Sequence, residues 1–175
     1  MKLPVGKIKH VLMVMLLAGS FCFSKAADSI TVYIFLSETC PICQNQTLTL
    51  RQLYDSYKGK GVSFVGVFSN AEFSDAETIK KFGKKYKLDF ELKKDEGQAL
   101  CNRFSATITP QVFVVRNSGN EVLYQGKVDN SFEGIGKKRQ VITNHYLADA
   151  LESILSGLPV VVKQTEPVGC YIIKS

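Results

Sequence analysis

Runs of β-branched and aromatic residues alternate with segments of helical period along most of the chain. Ile30–Leu36 is apolar nearly throughout and of strand length, the pattern of a strand buried on both faces. Residues 44–57 follow a helical period, with Leu48, Leu50, Leu53, Tyr54 and Tyr57 as apolar positions, and Gly59-Lys60-Gly61 closes the segment. Val62–Phe68 reads as a second buried strand. Ser74 or Asp75 is placed to cap a helix reaching about Tyr86, with Glu77 near the capping-box position. Residues 90–92 are a short strand candidate and residues 97–104 a short helix candidate. Thr109-Pro110 leads into a strong strand over Gln111–Arg116, and a turn at residues 117–120 joins it to a hairpin partner at residues 121–125. Residues 128–144 are polar and Gly-containing, as in a loop. Residues 146–155 are an amphipathic helix that Gly157 stops, and residues 160–174 hold one or two short extended pieces.

Strands alternating with helices, followed by one hairpin, describe an α/β fold in which a mixed central sheet is flanked by helices on both faces. No internal repeat or low-complexity segment interrupts it.

The first 26 residues follow a different pattern. Lys2, Lys7 and Lys9 precede a mostly apolar run over residues 11–23, and Ser24-Lys25-Ala26 offers small residues before a cut after Ala26. This is the layout of a secretory signal peptide, and the apolar run is shorter than the roughly 20 residues a membrane span needs. The bulky Phe21 disfavours lipidation of Cys22. The expected organisation is a signal at 1–26 and one domain at 27–175, with a core over about 30–157 and a tail over 158–175. Its expected location is the periplasm or the medium, with no membrane attachment after cleavage.

Charge changes meaning once the signal is set aside. The whole chain carries 22 basic and 16 acidic residues, a net of +6, and four of the lysines lie in residues 1–26. The remainder is nearly neutral, so basicity gives no reason to expect nucleic acid as a partner. A monomer is expected.

Four cysteines lie beyond the signal: Cys40, Cys43, Cys101 and Cys170. Cys40-Pro41-Ile42-Cys43 stands where a buried strand ends and a helix begins. Unpaired N–H groups and the helix dipole favour an anion there, so the thiol of Cys40 is expected to ionise readily. Pro41 suits the first helical turn, where its missing N–H costs nothing. Cys43 lies one turn on, within reach, and can close a disulfide or release a mixed disulfide from Cys40. A static disulfide staple, a zinc site and a haem site fit less well: the loop is short, no second ligand pair stands close, and Gln44 replaces the histidine a c-type haem requires.

With these residues in place the chain resembles the thioredoxin-like superfamily. Within it, the chain is similar to the redoxin branch, the alkyl hydroperoxide reductase/thiol-specific antioxidant (peroxiredoxin-like) type. The strand–CPIC–helix–strand order and Thr109-Pro110 carry the first likeness. Residues 109–114, residues 124–129, the helix at 146–151 and Gly169-Cys170-Tyr171-Ile172 carry the second. The resemblance implies that Pro110 is a cis-proline, and that Thr109 and Pro110, with Thr39, Pro41 and Ile42, form the substrate-binding surface beside Cys40 and Cys43. It also marks departures. Tyr33 and Ser37 stand where a peroxidatic cysteine has Pro and Thr, which argues against peroxidase activity. Ile34 stands where thioredoxins place an acid, which leaves Glu38 as the nearest candidate for proton transfer.

The other cysteines admit two readings. Each is a small buried residue, or Cys101 and Cys170 form a disulfide that pins the tail and stabilises by about 2–4 kcal/mol. A relay between either one and Cys40 is the less favoured reading. Beyond the signal the chain has a single histidine, His145. A copper carrier would use it with Cys40 and Cys43. The expected activity is that of an exported thiol–disulfide oxidoreductase acting on protein thiols and disulfides, with Cys40 as nucleophile and Cys43 as resolving residue. It needs neither metal nor cofactor, and it depends on a redox partner the sequence does not identify. Copper binding and thiol peroxidase activity are the alternatives.

Overall fold

The computed structural model of the protein describes residues 29–70 and 73–174. The secretory signal expected over residues 1–26, with its cut after Ala26, lies outside the described residues.

Among the described residues the chain runs β1 (Ile30–Leu36), α1 (Pro41–Tyr57), β2 (Val62–Phe68), α2 (Ala76–Tyr86), β3 (Glu91–Lys94), a 3-10 turn (Glu96–Gln98) and α3 (Ala99–Phe104). There follow β4 (Ile108–Thr109), β5 (Gln111–Arg116), β6 (Glu121–Gly126), β7 (Phe132–Gly134), β8 (Lys137–Lys138), α4 (Tyr146–Leu155) and β9 (Cys170–Tyr171). Five strands form one sheet in the order β3-β2-β1-β5-β6. β1 and β2 are parallel, as are β2 and β3, whereas β5 runs antiparallel to both β1 and β6.

The alternation of β1 explains why two layers cover this sheet. Val32, Ile34 and Leu36 face a core shared with Leu50 of α1, Ile79 and Phe82 of α2, and Leu147 and Leu151 of α4. Phe35 faces the other way, against Val67, Phe113, and Cys101 and Phe104 of α3. Phe104 and Phe113 stack there with ring centroids 4.9 Å apart. Strand β1 is therefore buried on both faces, and its C-terminal end is a rigid point from which to launch a site.

Three local readings need correction. Helix α1 starts at Pro41, three residues before the apolar period begins, because proline at the first helical position requires no partner for its nitrogen. Its buried stripe runs through Cys43, Gln46, Thr47 and Leu50, so Leu48 is 52% exposed. The capping box of α2 pairs Asp75 with Thr78, not with Glu77: Thr78 N–H donates to Asp75 Oδ1 at 2.7 Å and Asp75 N–H to Thr78 Oγ1 at 3.0 Å.

The segment 128–144 is more ordered than a plain loop. It contains the β7–β8 hairpin and a buried polar row, Asp129, Asn130 and Ser131. Asn130 Oδ1 accepts from the N–H groups of Thr143 and Asn144, closing the loop on itself. Asp129 Oδ1 accepts from Gln46 Nε2 at 2.8 Å and from Ser131 N–H at 2.9 Å, which ties the loop to α1. Asp129→Ala leaves the Ser131 N–H without its partner and Gln46 Nε2 with Ser131 Oγ alone. It is expected to destabilise the protein by about 1–3 kcal/mol, read as a lower urea midpoint at unchanged slope.

Candidate active site

β1 ends at Leu36, and a short turn carries the chain into α1. Cys40 N–H donates to Ser37 O at 3.3 Å across that turn, and Gln44 Nε2 reaches back to Glu38 O at 2.7 Å. Cys40 is the N-cap residue of α1, in extended conformation, and Pro41 follows at the start of the helix. The sulfur of Cys40 thus lies where the first turn leaves its N–H groups unpaired, and Cys43 lies one turn further in.

The opposite wall comes from 69 residues down the chain. The Thr109–Pro110 peptide bond is cis, at the junction between β4 and β5. As a thiol, Cys40 donates to Thr109 O at 3.2 Å, and the Thr109 hydroxyl donates to Cys170 O at 3.4 Å. Of the residues expected to shape the site, Thr109 and Pro110 lie against the cysteines, Ile42 is buried, and Thr39 and Pro41 face solvent.

A third wall is formed by the tail. β9 pairs antiparallel with β4, Thr109 opposite Cys170 and Ile108 opposite Tyr171. Ile172 N–H donates to Thr107 O at 2.9 Å and Ile173 N–H to Asn70 Oδ1 at 2.9 Å, while the Ile172 side chain is buried in the second core. Gly169 brings the tail backbone so close that a Cβ there would lie 1.9 Å from Thr109 O. Gly169→Ala must push the tail off this carbonyl. Overpacking costs of about 1–3 kcal/mol translate into roughly tenfold faster alkylation of Cys170, measured by mass spectrometry under native conditions.

Opposite Thr109, Cys170 places its thiol and backbone N–H near enough to the Cys40 sulfur to favour a thiolate there. With Cys43 on its other side, Cys40 has two cysteine neighbours, and both Cys40 and Cys43 are buried. The electrostatics follow from this packing. The hydrogen bond from the Cys43 thiol does most to lower the Cys40 thiol, against the opposing cost of burial. The thiol of Cys170 and the N–H groups of Cys43 and Cys170 add to it, and the result is about 5 against an ordinary 9.0. Burial raises Cys43 well above the usual thiol range, and the bond to Cys40 and the charge on Cys40 raise it further. Burial, then the bond to Cys40 and its charge, push Cys170 up to about 12. One thiolate, on Cys40, is therefore shared by two protonated neighbours.

Two readings from sequence are corrected by this arrangement. Cys101 and Cys170 do not pair; both are free thiols in different surroundings. Cys101 is fully buried under α3, where its thiol donates to Ala106 O at 3.2 Å, whereas Cys170 faces Cys40. Glu38 is not aimed at the cysteines. Its carboxylate oxygens accept from Ser74 Oγ at 2.8 Å and Thr78 Oγ1 at 3.2 Å, so it secures the start of α2. The structure also leaves the copper set unassembled: His145 is exposed before α4, and no group of three His, Cys, Asp or Glu among the described residues is placed to hold a metal ion. Pairing of two-residue strands 61 positions apart places Cys170, and the tail's only advance signal was Gly169-Cys170 itself.

Comparison with known proteins adds an independent line. The AhpC/TSA family model matches residues 15–122. A putative chloroplastic peroxiredoxin Q from Oryza sativa subsp. indica is 35% identical over 68 residues, 39% of this chain and 30% of that protein. The chain thus spans about a third of the length of the curated relatives it matches. An uncharacterised conserved protein from Geobacillus kaustophilus superimposes with a TM-score of 0.74 at 30% identity, covering 85% of this chain and 78% of that one. A secreted disulfide oxidoreductase of Mycobacterium tuberculosis shares the fold, with a TM-score of 0.51 at 18% identity over 75% of this chain and 83% of that one.

Proposed function

The chain belongs to the AhpC/TSA family of thioredoxin-like redox proteins, and from that premise we propose that it is an exported thiol–disulfide oxidoreductase acting on protein thiols and disulfides. The observation that carries this reading is the Cys40 sulfur, held at the first turn of α1 between the Cys43 thiol and the cis Thr109–Pro110 loop. In the reductive direction the Cys40 thiolate attacks one sulfur of a substrate disulfide and expels the other as a thiolate. Cys43 then attacks Cys40, closes the Cys40–Cys43 disulfide and releases the second substrate sulfur with the proton it gives up. The reverse sequence oxidises a dithiol. Thr109 presents its backbone to the substrate strand and Pro110 keeps the loop against α1. The charged start and apolar run of residues 1–23 support export, as does the likeness to a secreted disulfide oxidoreductase.

A second reading, thiol peroxidase, is favoured by the similarity to peroxiredoxin Q. Tyr33 and Ser37 weigh against it, because they replace the residues that accompany a peroxidatic cysteine. One experiment separates the two. The fully reduced protein is mixed with insulin and, in parallel, with hydrogen peroxide. Insulin reduction with little peroxide consumption is expected; rapid peroxide turnover with intact insulin would overturn the proposal.

A further inference from the structure

Resting on that reading, we infer that Cys170 is a third redox cysteine of this site, which takes Cys40 over from Cys43 to form a Cys40–Cys170 disulfide. The geometry is that of a captured substrate. β9 adds to β4 as an antiparallel strand, with Cys170 directly opposite Thr109, the residue before the cis-proline. Cys40 Sγ lies 3.2 Å from Thr109 O and Cys170 stands opposite Thr109 in the ladder, so the register seats Cys170 beside the Cys40 sulfur, where its thiol and N–H favour the thiolate. The tail therefore occupies the position in which a substrate cysteine must lie to be attacked.

The exchange balances without an external reagent. The Cys170 thiolate attacks Cys40 of the Cys40–Cys43 disulfide, a Cys40–Cys170 bond forms, the Cys40–Cys43 bond breaks, and Cys43 leaves as a thiolate. No net electrons move, and the proton lost by Cys170 ends on Cys43. Oxidation itself arms the attacking group. While Cys40 is a thiolate, burial, then the hydrogen bond to Cys40 and the charge on it, hold Cys170 protonated. Once Cys40 is tied to Cys43 that charge and that hydrogen bond are gone, and burial alone still opposes ionisation of Cys170. The exchange also changes access. Cys43 is fully buried, whereas Cys170 is partly exposed, so electrons from a thiol reductant reach the pair through Cys170.

The test uses the full chain and variants equilibrated with glutathione redox buffers, quenched, alkylated and mapped by mass spectrometry. In Cys43→Ser, the Cys40–Cys170 linked peptide is expected to exceed glutathionylated Cys40 on the order of tenfold, because an intramolecular thiol competes at high effective concentration. Cys43→Ser combined with Cys170→Ser is expected to stop at glutathionylated Cys40, with a circular dichroism spectrum matching the single variant. The unmutated protein is expected to show the same linked peptide as a minor species beside Cys40–Cys43. Accumulation of glutathionylated Cys40 in Cys43→Ser, with Cys170 still open to alkylation, would overturn the inference. If the unmutated protein forms Cys40–Cys43 and reduces insulin while Cys170 stays free, this inference falls and the proposed function stands. If Cys40 forms no disulfide with either cysteine, both fall.

Discussion

Cys40→Ser is expected to abolish reduction of a protein disulfide, lowering the rate by roughly three orders of magnitude or more, the scale on which loss of a covalent nucleophile acts. A serine hydroxyl at this position does not ionise in the relevant range and forms no disulfide. The substitution removes one buried sulfur atom and leaves the Thr109 carbonyl with a hydroxyl to accept from, so the fold is expected to persist. Insulin reduction by the variant and the unmutated protein, compared at equal concentration, gives the ratio directly. Equal rates would remove Cys40 from the mechanism. The same assay on Cys43→Ser separates the roles: attack still occurs, but turnover stalls at whichever disulfide Cys40 then holds.

The second large effect is in pH. The reduced protein is expected to show one thiolate with a midpoint near pH 5, seen in absorbance at 240 nm and absent from Cys40→Ser. Its consequence for stability has a definite sign. Between about pH 5 and pH 9 the unfolded chain holds a proton on Cys40 that the folded chain does not. Stability of the reduced protein therefore rises with pH across that window, and the contribution is lost as pH falls from 9 to 5. Above pH 9 the sign reverses, because the folded chain keeps Cys170 protonated up to about 12 while the unfolded chain does not. The disulfide form lacks the Cys40 contribution. Denaturant midpoints of the two redox forms are thus expected to move in favour of the reduced form as pH rises from 5 to 9. A midpoint for Cys40 near 9 would contradict the electrostatic picture of the site. Stabilising the thiolate also favours the reduced form, which shifts the couple toward a more oxidising potential.

The parts of the molecule that could be read from sequence are those in which local chemistry and global fold agree. Strand β1 announces itself through seven largely apolar residues because both of its faces are buried. The active-site turn is legible because proline tolerates the first helical position and because two cysteines at helical spacing share a face. Helix α4 is legible from its period and from Gly157. What sequence did not disclose depends on distant pairing. Cys170 belongs to a two-residue strand whose partner, β4, is equally short, and neither has length enough to show a period. From composition alone, a disulfide with Cys101 is a pairing that an exported chain would allow. It fails because α3 turns Cys101 into the second core, while the tail crosses to the cysteine motif. Glu38 is the nearest acid along the chain, yet Ser74 and Thr78 hold its carboxylate from the start of α2. The buried Gln46–Asp129 pair shows the same limit: two polar residues 83 positions apart become an internal tie only once the loop is folded over α1.

Burial of the cysteines shapes how this site works. Cys40 is only 1% exposed, and the tail strand is what lies against it. On the proposed function, a substrate strand pairing with Thr109 would have to displace β9, which is held by a few backbone bonds and the side chain of Ile172.

The most direct test equilibrates the unmutated protein across a series of glutathione buffers of known poise, traps the thiols at each step and assigns the disulfides by mass. A single reversible two-electron transition is expected, in which Cys40–Cys43 is the main disulfide, Cys40–Cys170 a minor one, and Cys101 stays reduced throughout. Cys40 and Cys43 remaining free thiols across the whole series, or a first disulfide that excludes Cys40, would contradict it.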